Sequence, residues 1–306
     1  MIAGPQDQTV ILSGASGLLG AALRRELEQR GTPVLQLVRS GPLGPSRILW
    51  NPGAIPAIEQ DGLLDGCSAA IHLSGANVAA HRWTPDYRRE ITVSRIASTQ
   101  ALARELAVLR HPPHTLLVAS ATGIYGNRAG EILDEISIPG TGFLADLTYE
   151  WEKAAMPARQ AGIRVVHLRF GVVLGLGGGA LARMLPIFRA GLGGKLGSGR
   201  QWMSWVSLTD AVAAVLFALD NSSVDGPINI TAPNPVTNAE FTRVLAHHLR
   251  RPAILPAPAF ALRLAFGSMA DEALLASTRA MPSRLLTAGF HFRHPTLADA
   301  LHAILV

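Results

Sequence analysis

The sequence contains one cysteine and only two lysines, and both shortages limit what the protein can be. Cys67 has no partner in the chain, which excludes an intramolecular disulfide, a multi-cysteine metal centre and a CxxC redox motif. The net charge of +5 rests almost entirely on arginines, and these are scattered along the chain. Because scattered arginines do not form the basic stripe that nucleic acids need, we expect no nucleic-acid partner.

Long apolar runs and clustered metal ligands are missing as well. The longest apolar stretches, such as residues 211–219, fall far short of the roughly 20 residues that cross a bilayer. Residues 1–8 lack a basic region followed by an apolar run, so they do not resemble a signal peptide. We therefore expect a cytoplasmic protein that uses neither a membrane nor a metal ion.

The chain does contain ample material for a core, with 48% hydrophobic and 16% charged residues. Through residue 172, short β-branched runs alternate with helical patterns, which is typical of a parallel sheet covered by helices on both faces. The strands are predicted at residues 9–12, 34–38, 47–50, 69–73, 115–120 and 164–170.

The composition of the sequence changes after Gly171, where glycine clusters precede a proline-rich final third. We interpret this change as a domain boundary. Residues 1–172 are expected to form the main domain, to which a segment near 205–232 returns. Residues 173–306 are expected to form mainly a smaller, helix-rich lobe.

A glycine pattern follows the first predicted strand. Gly14, Gly17 and Gly20 spell GxxGxxG between this strand and a helix predicted over residues 18–30. In such a turn the first glycine bends the chain, the second lets a pyrophosphate approach, and the third packs helix against strand. The helix N-terminus adds free N–H donors and a positive dipole. The context predicts a dinucleotide-binding, Rossmann-type α/β fold with a doubly wound parallel sheet; the alternative is a glycine turn kept only for packing.

The end of the second predicted strand indicates which dinucleotide is bound. NAD sites place a carboxylate there for the ribose 2′-hydroxyl, whereas this chain has Arg39 and Ser40. A guanidinium is a planar fork that suits a 2′-phosphate. We therefore expect NADP(H) to be preferred over NAD(H), unless Arg39 is simply a solvated surface residue.

The glycine turn, together with the segments IHLSGA (71–76) and SATGIYG (120–126), resembles the extended short-chain dehydrogenase/reductase superfamily, the NAD(P)-dependent epimerases and dehydratases. More closely, the chain resembles an atypical branch, the epimerase family proteins, which carry a small C-terminal DUF1731 domain, here at about 250–300. The shorter segments that support this are spread over nearly the whole chain: RWT at 82–84, SRI at 94–96, GFLA at 142–145, WE at 151–152, GRQ at 199–201, SW at 204–205, APNP at 232–235 and GFHF at 289–292.

The resemblance implies an NADPH-binding core with a substrate cleft between core and C-terminal lobe. It assigns the pyrophosphate to the glycine turn and the 2′-phosphate to the end of the second strand: Gly14, Ser16, Gly17, Leu18 and Leu19, then Arg39 and Ser40. It assigns the ribose and the nicotinamide to later strand ends: Leu73, Ser74 and Gly75, then Ala119, Ser120, Phe170 and Gly171.

The catalytic residues are less clearly marked. Superfamily members typically carry a Tyr that exchanges a proton and, four residues later, a Lys that lowers its pKa, and Tyr149 and Lys153 have this spacing. A Glu usually follows that Lys by four residues. Aligning Glu152 there puts Leu144 and Thr148 in the places of Tyr and Lys. Tyr149 and Lys153 are therefore either a catalytic pair or surface and packing residues.

Further polar residues are candidates for binding a substrate. Ser120 resembles the strand-end hydroxyl that contacts the substrate oxygen, and Thr122 and Tyr125 are weaker candidates. Two groups that combine cations and aromatic rings would suit an anionic or ring-bearing substrate: Arg82 with Trp83, and Lys195 with Arg200, Gln201 and Trp202.

The leading hypothesis is an NADP(H)-dependent oxidoreductase or epimerase that moves a hydride between the nicotinamide and a small hydroxyl or carbonyl compound, sugar-like compounds included. The alternatives are an NADPH-binding sensor or regulatory protein without Tyr/Lys proton transfer and, third, a scaffold. The expected partner is a small-molecule substrate, and a homodimer through helices near 84–109 and 142–161 is an option.

Replacing Arg39 tests the cofactor assignment. We expect Arg39→Glu to weaken NADPH binding far more than NADH binding, because a carboxylate repels a 2′-phosphate but accepts a hydrogen bond from a 2′-hydroxyl. Fluorescence titration of both nucleotides measures the two affinities. An equal loss for both would refute the assignment.

Overall fold

The computed structural model describes residues 8–58 and 61–306. The N-terminal segment in which the sequence shows no signal pattern lies outside this range, apart from Gln8. None of the helices in the described ranges combines the length and the apolar character of a membrane span.

The strands match the predicted positions closely in the first half of the chain. They are β1 (Val10–Ser13), β2 (Val34–Val38), β3 (Arg47–Leu49), β4 (Ala69–His72), β5 (Thr115–Ala121), β6 (Ile132–Leu133), β7 (Arg164–Phe170), β8 (Val172–Leu174), β9 (Trp202–Met203), β10 (Trp205–Ser207), β11 (Gly226–Ile230), β12 (Val236–Thr237) and β13 (Arg279–Ala280).

Helices connect these strands and dominate the final third. They are α1 (Leu18–Gln29), α2 (Pro85–Ala107), α3 (Phe143–Lys153), α4 (Met156–Gln160), α5 (Gly179–Arg189), α6 (Leu208–Asp220), α7 (Asn238–Leu249), α8 (Ala259–Phe266), α9 (Ser283–Thr287) and α10 (Leu297–Leu305). Short 3-10 turns lie at Asp61–Leu63 and Thr122–Tyr125, and a π-helical turn lies at Ala270–Leu274.

Within the described residues, seven parallel strands form the central sheet in the order β3-β2-β1-β4-β5-β7-β11. The chain builds outward from β1 in one direction and from β4 in the other, so the strand order reverses between these two strands. This is the doubly wound arrangement, and ligands bind at the carboxyl end of such a reversal. The predicted fold class is confirmed.

Buried apolar side chains cover both faces of the sheet. On one face, Leu23 of α1 and Val215 of α6 pack in a cluster with Leu12 and Ile228. On the other face, Leu102 and Leu106 of α2 pack with Ile11, Val118 and Ala158. Consecutive residues of β1, Ile11 and Leu12, thus point to opposite faces, which is why the strand reads as a continuous apolar run.

The first helix meets β1 at very close range because of two glycines. A Cβ on Gly20 would lie 2.1 Å from the carbonyl oxygen of Gly14, so only glycine allows this contact. Gly14 itself has φ of +75°, and a Cβ there would lie 2.8 Å from the carbonyl carbon of Leu73. The turn is therefore fixed between β1, α1 and the end of β4.

The later segments fold back over the carboxyl edge of the sheet. Phe241 and Leu245 of α7, Leu185 of α5 and Leu301 of α10 form a separate apolar cluster. Strand β13 pairs with β6, and β12 pairs with β9. These pairings fix residues far apart in the chain around one edge of the sheet, where the glycine turn lies.

Candidate functional site

A cavity of about 590 Å³ opens at the carboxyl edge of the sheet, above the strand reversal. Its floor is made by residues at the strand ends, including Leu73, Ala119 and Phe170. One wall is a face of α3, and the opposite wall comes from residues in the range 180–278. Core and C-terminal segments thus share one cavity.

Most residues that the sequence assigns to the cofactor line this cavity. They are Gly14, Gly17, Leu18, Leu19, Leu73, Ala119, Ser120, Phe170 and Gly171. Ser16 lines a neighbouring cleft of about 450 Å³ that shares Gly17 and Leu18. Beyond the end of β4, Ser74 is half-buried and Gly75 is exposed. Arg39 and Ser40 are exposed just after β2, outside the cavity lining.

The glycine turn presents the N-terminus of α1 to this space. Gly17 is the N-cap of α1 and contributes no side chain, while its own N–H donates to the Gly14 carbonyl at 3.1 Å. The first turn of the helix therefore directs its N–H groups toward the cavity, as anion binding requires.

A buried histidine fixes the turn from behind. His72 bonds Ser13 through Nδ1 at 2.6 Å and Ser98 through Nε2 at 3.1 Å. Ser98 already donates its proton to the Ser94 carbonyl at 2.6 Å, so Nε2–H donates to Ser98 and Nδ1 accepts from Ser13. Burial lowers the pKa of His72 to about 4, so the ring is neutral at physiological pH. His72 thereby links β1, β4 and α2 immediately below the glycine turn.

The face of α3 that lines the cavity carries Leu144, Leu147, Thr148 and Trp151. This is the i, i+3, i+4, i+7 stripe of one helix face. The Thr148 hydroxyl donates to the Leu144 carbonyl at 2.7 Å, so its proton is used within the helix.

Tyr149 and Lys153 lie on the outer side of the same helix. Tyr149 is 48% exposed, and the Lys153 ammonium bonds Glu150 at 2.9 Å and lies 5.1 Å from the Tyr149 ring. The Glu150 carboxylate raises the pKa of Lys153. The two residues do meet, but neither lines the cavity, because one step along a helix turns the side chain by about 100°.

Ser120 belongs to a buried charged cluster under the cavity floor. Its hydroxyl donates to Glu152 Oε1 at 2.6 Å. Arg169 donates to both oxygens of Glu152, from Nε at 2.8 Å and from Nη2 at 2.9 Å. The side chains of Arg169 and Glu152 are 8% and 12% exposed. Burial by itself raises the pKa of Glu152, but the bonds and charge of Arg169 outweigh it and hold that pKa below its usual value.

The same cluster continues away from the cavity. Arg169 Nη1 donates to the Tyr125 hydroxyl at 3.0 Å, and Tyr125 donates to Asn229 at 2.8 Å. The Asn229 N–H in turn donates to the Glu135 carboxylate at 3.0 Å. Tyr125 is therefore engaged in the core and does not line the cavity. The Thr122 hydroxyl lies at the cavity and donates to the Phe170 carbonyl at 3.3 Å.

Sequence reasoning assigned no role in the site to two charged residues that line the cavity, Arg95 and Glu272. Arg95 of α2 donates to the carbonyls of Ile91 and Ala76 and stacks 5.2 Å from the Trp151 ring. Burial lowers the pKa of Arg95 to about 10. Glu272 accepts the Leu144 N–H at 2.8 Å and so caps α3 across 128 residues of sequence. The SRI segment marked Arg95 in the sequence, whereas no local pattern marks Glu272.

The two predicted substrate-binding groups separate in the structure. Gln201 and Trp202 line the cavity. The cations of these groups do not: Arg82 is exposed and donates to the Leu264 carbonyl at 3.1 Å, while Lys195 and Arg200 are exposed outside the lining. Among the described residues, no group of three or more His, Cys, Asp or Glu is placed to hold a metal ion.

Comparison with known sequences identifies the family of this arrangement. The profile of the NAD dependent epimerase/dehydratase family matches residues 10–231, and that of DUF1731, a domain of unknown function, matches residues 257–304. The chain belongs to the NAD dependent epimerase/dehydratase family.

Individual members of the epimerase/dehydratase family support this placement. Epimerase family protein Mb2239 of Mycobacterium bovis is 45% identical over 295 residues, covering 96% of this chain and 97% of that protein. The crystal structure of the human epimerase family protein SDR39U1 with NADPH superposes with a TM-score of 0.90 at 34% identity, covering 97% and 98% of the two chains. UDP-glucose 4-epimerase of Thermotoga maritima, solved with UDP-glucose, matches with a TM-score of 0.73 at 17% identity over 97% of both chains. The last likeness shows the fold alone.

Because the Glu152–Arg169 pair is buried, we expect wild type and Glu152→Gln to differ in their free energy of unfolding by an amount that depends on pH. Glu152→Gln leaves the Arg169 charge buried and unpaired, so we expect a loss of about 3–5 kcal/mol near pH 7. Because the folded pKa of Glu152 is depressed, the pair stabilises the protein above the unfolded pKa and stops doing so as the pH falls through the folded pKa. The difference in the free energy of unfolding between wild type and Glu152→Gln should therefore become smaller as the pH is lowered from about 6 to about 3.

Thermal unfolding followed by circular dichroism over this pH range measures this difference. Glu150→Gln is the matched control, because Glu150 is exposed and its ion pair with Lys153 is solvated. A difference that stays constant with pH, or one no larger than that of the control, would contradict the role given to the pair.

Proposed function

We propose that the protein is an NADP(H)-dependent oxidoreductase or epimerase that acts on a small hydroxyl or carbonyl compound. The observation that carries the proposal is the glycine turn, which directs the N-terminus of α1 into a cavity at the strand reversal. The space left by the missing side chain of Gly17 suits a pyrophosphate, while Gly14 lets the chain turn against the end of β4.

The cofactor is assigned to this chain's residues as follows. Gly14, Ser16, Gly17, Leu18 and Leu19 hold the pyrophosphate, and Arg39 with Ser40 binds the 2′-phosphate, which favours NADP(H) over NAD(H). The ribose and nicotinamide contact the later strand ends, at Leu73, Ser74, Gly75, Ala119, Ser120, Phe170 and Gly171. The solved human relative, crystallised with NADPH, supports NADP(H) as the cofactor.

When bound, the nicotinamide supplies the acceptor or donor of a hydride. The chain then has to manage a proton. Ser120 lines the cavity and its hydroxyl proton is directed at the ionised Glu152, so its oxygen is left to accept a hydrogen bond from a substrate hydroxyl. In this scheme a proton passes from the substrate to Ser120 as the proton of Ser120 passes to Glu152, and Glu152, whose pKa is depressed, then releases that proton to solvent. Arg169 keeps Glu152 ionised between turnovers.

A second candidate function is favoured by the face that α3 turns to the cavity. Leu144 and Thr148 occupy it, while Tyr149 and Lys153 face outward. This arrangement suits an NADPH-binding sensor or regulatory protein that lacks Tyr/Lys proton transfer. In either case the partner is a small molecule. We also propose a homodimer through the outer faces of α2 and α3.

Gly17 offers a sharp test of the cofactor site. Gly17 has φ of −74°, and a Cβ there would make an ordinary 3.5 Å contact with the Gly14 carbonyl oxygen, so small side chains fit. We expect Gly17→Asp to weaken NADPH binding about 100-fold or more, because its carboxylate repels the pyrophosphate at the helix N-terminus. Gly17→Ala is the matched control for volume.

NADPH fluorescence titration gives both affinities, and thermal unfolding verifies that the variants fold. If Gly17→Asp and Gly17→Ala weaken NADPH binding by the same small factor, the pyrophosphate does not bind at Gly17 and the proposal fails. Consumption of NADPH with a panel of carbonyl compounds then separates the two functions, since the sensor predicts none.

The outward pair on α3 gives a further prediction. If Lys153 does not touch the nicotinamide ribose, Lys153→Met should change the NADPH dissociation constant by less than about twofold, as for an exposed ion pair. Tyr149→Phe should likewise leave NADPH binding unchanged, whereas Leu73→Asp, at the cavity floor, should weaken it strongly. A loss of NADPH affinity of about tenfold or more in Lys153→Met would contradict this prediction and show that Lys153 contacts the cofactor.

A further inference from the structure

One wall of the cavity is lined by large apolar side chains from the C-terminal half of the chain. Those that form this apolar wall are Met184, Leu196, Trp202, Met203, Phe241 and Leu274. They come from α5, β9, α7 and the segments between and after them, so they meet only in the folded chain. Apolar side chains around a cavity favour a ligand whose surface gains from leaving water.

Polar groups beside the apolar wall are already paired. The Gln201 amide donates to the carbonyls of Leu196 and Leu274, at 3.0 and 3.2 Å. The Ser204 hydroxyl donates to the Thr278 carbonyl at 2.9 Å and accepts the Ala280 N–H at 2.8 Å. These groups hold the wall together and have their donors committed before a ligand binds.

The two charges among the described residues of the cavity are committed in the same way. Arg95 directs its two terminal nitrogens at backbone carbonyls and its plane at Trp151. Glu272 caps α3 at Leu144 and places negative charge at the cavity. A diphosphate in this space would leave water, find its counter-charge already engaged and lie near a carboxylate.

We propose that the substrate is an uncharged, mainly apolar carbonyl compound or alcohol, and not a nucleotide-diphosphate sugar. This proposal rests on the oxidoreductase function proposed above and names its substrate class. It separates this chain from a protein of the same fold such as the Thermotoga maritima epimerase, which was solved with UDP-glucose. The apolar wall holds the body of the substrate, and the hydroxyl of the alcohol donates to the Ser120 oxygen, whose own proton is directed at Glu152.

Calorimetric titration of wild-type protein saturated with NADP⁺ tests the substrate class, because the oxidised cofactor prevents turnover of a ketone. The probes are acetophenone, 2-decanone and UDP-glucose. We expect at least one ketone to bind about tenfold or more tightly than UDP-glucose, with a negative heat-capacity change of binding. Tighter binding of UDP-glucose, or saturable binding of neither ketone, would overturn the proposal.

Substitutions of two methionines locate the binding. Met184→Lys places a cation in the apolar wall. It should weaken ketone binding about tenfold or more and strengthen the binding of UDP-glucose. Met156→Lys makes the same chemical change at an exposed residue of α4, outside the cavity, and should change neither. Equal effects of the two variants on ketone binding would also count against the proposal.

The cofactor proposal is tested separately. The protein is titrated with NADP⁺ before each substrate probe is added, and this first titration measures cofactor binding. Loss of NADP⁺ binding would refute the proposed function, whereas intact NADP⁺ binding with preference for UDP-glucose would refute the substrate class alone. Repeating the three titrations without nucleotide ranks the probes even if NADP⁺ does not bind, because the apolar wall is built without it.

Discussion

The contact between Gly20 and the Gly14 carbonyl is the constraint on which the site depends. With no Cβ at position 20, α1 can start directly against the end of β1, and its N-terminus then points along the carboxyl edge of the sheet. Any larger residue would push the helix away from the strand. The anion-binding end of the helix, the strand reversal and the cavity therefore coincide because two backbones touch.

Behind this contact, buried polar groups keep the strand ends in register. His72, neutral at physiological pH, links the ends of β1 and β4 to α2 through two serines. Glu152 and Arg169 link β5, α3 and β7 below Ser120. Buried charges of this kind are tolerable only when each is paired with good geometry, so these clusters also fix the positions of the elements that carry them.

The C-terminal segments complete the cavity and change its character. Glu272 caps α3 and places negative charge at the cavity, and the apolar wall contributes no cation to it. The cations that the sequence marked near Trp83 and Trp202 lie outside the cavity lining, on exposed surface. Fold and cavity chemistry are thus separate properties, and a shared sheet topology does not transfer a substrate.

Local patterns in the sequence were enough to predict six strands of the central sheet, the glycine turn, a helix near 84–109 and the doubly wound fold, since the patterns that mark them lie within a few positions. They were enough to suggest Tyr149 and Lys153 as a catalytic pair. They did not show where the two side chains point, because a helix pattern does not say which face meets the sheet. That choice was made by Trp151 and Leu147 packing inward, which leaves Tyr149 in solvent.

Glu272 at α3 and Met184 beside Phe241 lay beyond any local pattern. What the sequence alone determined is the fold and the glycine turn, because hydrophobic period and glycine spacing act over short distances. What only the tertiary structure decided is which side chains enclose the cavity, because those contacts join segments far apart in the chain, by 128 residues for Leu144 and Glu272, and depend on how the whole chain packs.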